Sequence, residues 1–270
     1  MRFGALAISC VLLLTYFIPI YWMVITSLKS AGEILVFPPA FLVPEPQWVN
    51  FAEAYRAFPF MHYLKNSLIV SGAIILCQCL TVIPAAYAFA RLDFRGKSLF
   101  FGLTLASVMI PAQLIFLPVF LFMSKLGLIN TYASLILPSA SSAFGIFMLR
   151  QTFKQVPEEI LEAARLDKAG ELSIIFNIML PIARPTLAAL GLLTFISVWN
   201  DYFWPFVLTT NEAVRTLPLG IASLKMLDAG LTIPYHTMMA GNLMLIAPVI
   251  VLFVLAQKQI ISAFTYMGEK

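Results

Sequence analysis

Residues 67–90 read SLIVSGAIILCQCLTVIPAAYAFA, 24 positions without one charged side chain. As a helix rising 1.5 Å per residue they reach about 36 Å, enough to cross the roughly 30 Å hydrocarbon core of a bilayer. A lone strand in lipid would leave its N–H and C=O groups unpaired, so the stretch is predicted to be helical. Working outward, comparable apolar stretches fall at 4–28, 98–122, 131–149, 186–208 and 238–256. The expected fold class is all-α, a polytopic membrane protein with six transmembrane helices.

The rest of the composition agrees. Of 270 residues 61% are hydrophobic and 11% charged, with mean hydropathy +0.91, too little polar surface to cover a water-soluble globule. A net charge of +4 arises from Lys and Arg scattered between apolar runs, with no basic stripe, which argues against a nucleic-acid partner. Cys10, Cys77 and Cys79 lie inside apolar runs, and His62 and His236 are far apart, so neither a disulfide framework nor a metal site is expected. Ala7-Ile8-Ser9-Cys10 faintly resembles a lipoprotein cleavage box, but the apolar run continues to Leu28, and an uncleaved first span is expected.

Short loops rich in Lys and Arg stay on the cytoplasmic side. With the N-terminus, 91–97, 150–185 and the C-terminus inside, that side holds 11 of the 17 basic residues, so both termini are expected in the cytoplasm. Residues 29–66, with Pro38, Pro39, Pro44 and Pro46, then form an external loop with an interfacial helix, and 209–237 folds back over the mouth of a pathway. Pro84, Pro111, Pro118, Pro138 and Pro248 predict kinks or broken turns, because each removes a backbone donor. Ser134, Ser139, Ala140, Ser141, Ser142 and Ala143 give the fourth span a surface that another helix can approach closely. By segment, 1–66 holds the first span and external loop, 67–262 the core, and 263–270 a cytoplasmic tail.

The segment that carries the function is RQTFKQVPEEILEAARLD, residues 150–167. Pro157 suits a first helical turn, and Glu158 and Glu159 sit where the positive end of the helix dipole favours carboxylates. Ile160, Leu161, Ala164 and Leu166 make a short apolar face, with Glu158, Glu159, Glu162 and Arg165 elsewhere around the helix. That face needs a partner: lipid headgroups, the chain's own bundle or another protein. Interfacial lipid-binding helices carry a cationic polar face, whereas this one leads with acid.

Glu162-Ala163-Ala164, with Ile178 and Leu180-Pro181 downstream, resembles the signature loop of ATP-binding-cassette importer permeases, in which Glu-Ala-Ala is followed by Gly and then Ile-x-Leu-Pro. Asn66-Ser67-Leu68, Ala86-Tyr87-Ala88-Phe89-Ala90-Arg91, Phe147-Met148-Leu149-Arg150-Gln151, Trp199-Asn200-Asp201 and Arg215-Thr216-Leu217-Pro218 extend the likeness over nearly the whole chain. The wider pattern is similar to the sugar-importer branch, which includes the smaller maltose permease subunit. One position departs: the family glycine falls on Lys168, and Gly170 stands two residues later. If that turn needs positive φ, either Lys168 is strained or the turn shifts to Gly170. The tail Phe264-Thr265-Tyr266-Met267-Gly268-Glu269-Lys270 lacks the small-residue ending of relatives, so no contact between tail and ATPase is expected.

The resemblance implies a type I importer permease in a bacterial or archaeal cytoplasmic membrane. Its partners would be two ATPase subunits, a second and different permease chain, an external solute-binding protein and a carbohydrate substrate. Pro157, Glu158, Glu159, Ile160, Leu161, Glu162, Ala163, Ala164, Arg165, Leu166, Asp167, Lys168 and Gly170 would couple to the ATPase. The chain contains no P-loop, so ATP-Mg belongs on the partner subunits, and no cofactor is expected here. No nucleophile, His or carboxylate cluster converges as in an enzyme.

Asp201 in the fifth apolar stretch would be costly facing lipid, by roughly 2.5–3.5 kcal/mol at a bilayer centre. Trp199, Asn200, Asp201 and Tyr202 therefore suit either a sugar path or an interface with the partner permease, and Gln78, Gln113 and Asn242 are secondary candidates. The alternative function is an ion-coupled secondary transporter that uses Asp201 and needs no ATPase.

Overall fold

The computed structural model describes residues 2–226 and 234–268, with the backbone alone described for 2–8, 10, 256 and 258–268. The fold is all-α, and no strand occurs among the described residues. Glu269 and Lys270 of the tail, and 227–233 of the expected third external segment, lie outside the described residues.

The chain divides into two compact units. The first comprises 1–65 and 216–250. In it α1 (Arg2–Ser27) leads to α2 (Ala31–Ile34), opened by a capping box between Ser30 and Glu33, and to α3 (Val49–Arg56). The segment expected as a loop with one helix thus carries two short helices before the next long one. Asn50, which is buried, donates from Nδ2 to the carbonyls of Ser27 and Lys29 at 2.8 and 2.9 Å. Lys29 is also buried, its ammonium 2.6 Å from the Ala40 carbonyl oxygen and 4.9 Å from the centre of the Trp22 ring. These bonds fold the proline-rich segment against the end of α1.

The second unit comprises 66–215 and 251–270. Its axis is the body of α4 (Phe60–Arg91), 32 residues and about 48 Å at helical rise. Pro84 lies inside this unbroken helix. The stretch 98–122 is divided into α5 (Lys97–Val108), a 3₁₀ turn at Ala112–Leu114 and α6 (Phe116–Lys125). The break falls at Pro111, which adopts an extended conformation and cannot donate to the ladder.

The next stretch is α7 (Tyr132–Ile136), the turn Leu137–Ser139 over Pro138, and α8 (Ala143–Lys154), capped by the Ser142 hydroxyl. The two arms are bent by 45°. At the break α4 supplies the missing donors: Gln78 Nε2 reaches the Ser139 carbonyl at 3.0 Å, and Thr81 Oγ1 the Ala140 carbonyl at 2.9 Å. The small residues fit this close approach, since a Cβ on Gly145 would stand 3.3 Å from a Val82 methyl.

After α9 (Glu158–Leu166) come α10 (Glu171–Ile174), a π-helical turn Ile175–Met179, α11 (Leu180–Ile182) and α12 (Arg184–Trp199). Pro181 and Pro185 flank an 81° bend between the two arms. The chain continues through α13 (Phe203–Leu208) to α14 (Leu217–Ser223) and α15 (Tyr235–Gly268), which holds Pro248 inside a continuous helix.

Among the described residues two helices are long and apolar enough to cross a membrane, Phe60–Arg91 and Tyr235–Leu255, or four spans if each bent pair counts as one. Val11–Ser27, Lys97–Val108 and Phe116–Lys125 are shorter apolar helices. The breaks at Pro111, Pro138 and Pro181 are why the apolar runs do not all appear as single rods.

Candidate functional site: the corner around α9

Glu158 and Glu159 occupy the first turn of α9, Arg165 its last turn, and Pro157 the N-cap position before it. This is the charge order that complements the helix dipole. The helix ends in a turn in which the Lys168 N–H donates to the Arg165 carbonyl at 2.9 Å and the Ala169 N–H to the Ala164 carbonyl at 3.0 Å. That pair of bonds is a Schellman motif, which places Lys168 at the position glycine commonly fills. Lys168 has φ +60°, while Gly170 is extended at φ −70° and ψ 157°. The turn therefore stays at the family position, with a lysine in the left-handed region, and does not shift to Gly170.

The expected apolar face of α9 divides. Leu161 and Ala164 are buried against the second unit's own core, with Tyr87, Phe153, Ile174 and Met179. Ile160 and Leu166 are exposed, Leu166 at 84%. At about 100° per residue, Leu166 stands roughly 140° around the helix from Leu161. Glu159, Glu162, Ala163, Asp167 and Lys168 are exposed as well. The single oily face read from the sequence is thus two: one consumed within the chain, and one outward, carrying acid together with Leu166.

Side chains at the end of α4 fix the angle of this corner. Arg91, whose side chain is 9% exposed, donates from Nη1 to Glu158 Oε2 at 2.6 Å and from Nη2 to the Phe153 carbonyl at 2.6 Å, and it also binds the Val156 carbonyl. The Phe153 carbonyl lies in the last turn of α8, and the Val156 carbonyl in the short connection that follows, where a helix end leaves acceptors with spare capacity. Bonds from a charged donor contribute about 1.5–3 kcal/mol each. One turn earlier on α4, the Tyr87 hydroxyl donates to Glu171 Oε2. Arg165 lies 3.4 Å from Glu171 and 3.5 Å from Glu158. Desolvation alone would lower the Arg165 pKa, but the Glu171 carboxylate and the Tyr87 hydroxyl outweigh it and hold the guanidinium above its ordinary value. The sequence reading passed over Tyr87, Arg91 and Glu171 as site residues. The signal for Tyr87 and Arg91 was present as the quoted Ala86–Arg91 stretch, yet only the fold brings it to α9 and to Glu171.

The second group of candidates is employed locally. Trp199 is buried and stacked on Phe195 at 5.0 Å. Asn200 Nδ2 donates to the Ile196 carbonyl at 2.8 Å, and Asp201 Oδ1 accepts from the N–H groups of Phe203 and Trp204 at 2.9 and 3.3 Å, capping α13. Tyr202 is exposed and stacks on Phe206. Gln78 Oε1 accepts from Thr194 at 2.8 Å while its amide serves the Ser139 carbonyl. Gln78 and Thr194 line a mainly apolar cleft of about 80 Å³, smaller than the roughly 300 Å³ at which ligand pockets begin. Gln113 is exposed, and Asn242, half-buried, belongs to the first unit. No group of three or more His, Cys, Asp or Glu suited to a metal ion occurs among the described residues.

Apolar helices long enough to cross a bilayer, with an acid-led helix held at a corner of the second unit, define the class as a polytopic membrane protein. Residues 82–265 match the family described as "Binding-protein-dependent transport system inner membrane component", and the chain belongs to that family. It is accordingly a multi-pass inner-membrane permease component rather than an enzyme. It is 36% identical, over 91% of its length and 86% of the relative's, to the arabinooligosaccharides transport system permease protein AraQ of Halalkalibacterium halodurans. It is 31% identical, over 96% of its length and 86% of the relative's, to the diacetylchitobiose uptake system permease protein NgcG of Streptomyces coelicolor. The fold is similar, with TM-score 0.81 at 24% identity over 95% of this chain and 96% of the other, to a chain of a bacterial ABC transporter involved in the import of alginate. Membership in a binding-protein-dependent family answers the alternative of an ion-coupled transporter working alone.

Proposed function

We propose that this chain is the permease subunit of an ATP-driven carbohydrate importer, taking an oligosaccharide or related sugar delivered by an external binding protein. The six apolar stretches serve as spans, some of them bent, with both termini in the cytoplasm. A second, different permease chain completes the pathway, and separate ATPase subunits bind ATP-Mg. By segment, 1–66 supplies the first span and external loop, 67–262 the core and 263–270 the tail. The sugar class rests on the arabinooligosaccharide and diacetylchitobiose permeases to which the chain is similar. Trp199, Asn200, Asp201, Tyr202, Gln78 and Asn242 remain the proposed substrate-path or partner-interface positions, with Tyr202 and Asn200 the exposed members.

The observation that carries the coupling role is the outward face of α9. Its inner face is held by the chain's own core, so the helix is rigidly presented, while Leu166, Glu162 and Ala163 stand exposed. An exposed leucine beside acid fits a protein groove better than lipid headgroups. Switching a two-state bundle from 1:99 to 99:1 takes about 5.5 kcal/mol of differential binding, which exposed ion pairs worth under about 1 kcal/mol do not provide. ATP-driven closure of the motor supplies the bias and α9 transmits it. Glu162→Lys combined with Ala163→Asp is expected to abolish co-purification of the ATPase while the chain still inserts in the membrane. Normal association in that variant would refute the role of this face.

A further inference from the structure

Five side chains form a continuous series of contacts at the corner between α4 and α9. Tyr87 and Arg91 stand four residues apart and hence on one face of α4. From Tyr87 the path runs to Glu171, then to Arg165, to Glu158 and back to Arg91. Tyr87 is buried and the Arg91 side chain largely shielded, whereas the three outer members are about half exposed. Leu161, on the same face of α9 as Glu158 and Arg165, is fully buried in the second unit's core, so the inner face of α9 is packed beneath these pairs. Arg91 alone joins three elements: its own helix, the carbonyl end of α8 and the first turn of α9.

We propose that Arg91 is the positioning residue of the coupling corner, and that the Arg91–Glu158 pair passes displacement of α9 to the long apolar helix α4. This rests on the docking role proposed for α9. The chemistry gives the pair its direction. The Arg91 guanidinium is anchored by the Phe153 carbonyl of α8, which cannot move without α8, so any force on Glu158 is shared by α4 and α8 together. The outer pairs of Arg165 are solvent-exposed and long, and they can break and re-form as the corner tilts. The inner contact is shorter, 2.6 Å, and shielded on its arginine side, where two carbonyls hold the guanidinium in place. The corner is therefore stiff where it meets the bundle and compliant where it meets solvent. A lysine in place of Arg91 would keep the charge but lose the fork that serves carbonyl and carboxylate together.

The test uses the complete transporter in proteoliposomes, with its ATPase, partner permease and binding protein, and reads substrate molecules taken up per ATP hydrolysed. Glu158→Gln removes the ion pair and leaves the Arg91 bonds to α8 intact, and Arg91→Lys keeps charge without the fork. Both are expected to lower uptake per ATP between about twofold and thirtyfold, the range for residues that carry coupling. Exchange of the pair, Arg91→Glu with Glu158→Arg, is expected not to recover the loss, because a carboxylate at position 91 would face the Phe153 and Val156 carbonyls. Unchanged uptake per ATP in Glu158→Gln would overturn the proposal. A cysteine crosslink in Leu166→Cys, run alongside in the otherwise unaltered complex, separates the two readings. If Leu166→Cys fails to reach the ATPase, the docking role falls and the clamp with it. If it reaches the ATPase while Glu158→Gln couples normally, the clamp alone falls.

Discussion

Arg91 and Arg150 cap each other's helices: Arg91 of α4 binds the Phe153 carbonyl of α8 at 2.6 Å, and Arg150 of α8 binds the Phe89 carbonyl of α4 at 3.0 Å. Both helices end at the same corner, where unpaired carbonyls and the negative end of each dipole favour a cation. The Arg150 guanidinium also lies 3.9 Å from the centre of the Phe101 ring, which brings α5 into the same joint. Arg150→Lys keeps the charge but loses the planar stack and the directed Nε bond. The expected cost is about 1–2 kcal/mol, from one hydrogen bond and one cation–π contact. A lowered melting temperature of the purified subunit in detergent, recorded against Arg150→Met as the full loss, would show it.

Leu161 and Leu166 share one nine-residue helix, but the first is fully buried and the second 84% exposed. Leu161→Ala leaves a cavity among Tyr87, Phe153 and Met179 and is expected to destabilise the second unit by about 2–5 kcal/mol. Leu166→Ala is expected to stay within about 0.5 kcal/mol in stability, as surface substitutions do, and to weaken ATPase retention on an affinity column. Equal thermal shifts in the two variants would contradict the division of the α9 face.

Lys168 adopts φ +60° at the C′ position of a Schellman turn, where a residue with a Cβ costs roughly 1–2 kcal/mol relative to glycine. Lys168→Gly removes that strain, offset in part by the greater freedom of glycine in the unfolded chain. The net expectation is a gain of about 0.5–1 kcal/mol, together with slower amide exchange at Ala169, whose N–H closes the turn. Gly170→Ala should change little, because Gly170 is extended and a Cβ there meets open space.

Periodicity and composition made the helical class and the acid-led helix legible, because both are local properties of the chain. Bending was legible only in part. Pro111 and Pro138 sit at real breaks, whereas Pro84 and Pro248 lie inside continuous helices, and the difference depends on whether neighbouring side chains can serve the freed carbonyls. Gln78 and Thr81 do so for the Ser139–Ser142 break, a contact across about 60 residues that no local pattern encodes. Asp201 drew attention as a carboxylate in an apolar stretch, and its use as a cap for α13 needs the break at Asn200 to be known first. The Arg91–Glu158 pair was hidden for the same reason, since its members were read separately, one as a topology marker and the other as a dipole partner.

Asn66 offers a sharper test of the packing inside the second unit. It is fully buried, donates from Nδ2 to the carbonyls of Ala213 and Arg215 at 3.2 and 2.9 Å, and accepts from the Tyr132 hydroxyl at 2.7 Å. One amide thereby joins α4, α7 and the segment before α14, with donor and acceptor each facing its complement. Asn66→Asp preserves the shape but turns an acceptor toward two carbonyls and adds a buried charge, so both donor bonds become repulsive. The expected outcome is a loss of at least about 3 kcal/mol, seen as failure to accumulate in the membrane or as protease sensitivity. Tyr132→Phe removes only the third bond, leaving one acceptor lone pair unserved, and should cost about 1–2 kcal/mol. If the two variants melted together, Asn66 would be a spectator and the polar joint would lie elsewhere; a wide separation, with Asn66→Asp far the worse, identifies the amide as the group that holds the three segments in register.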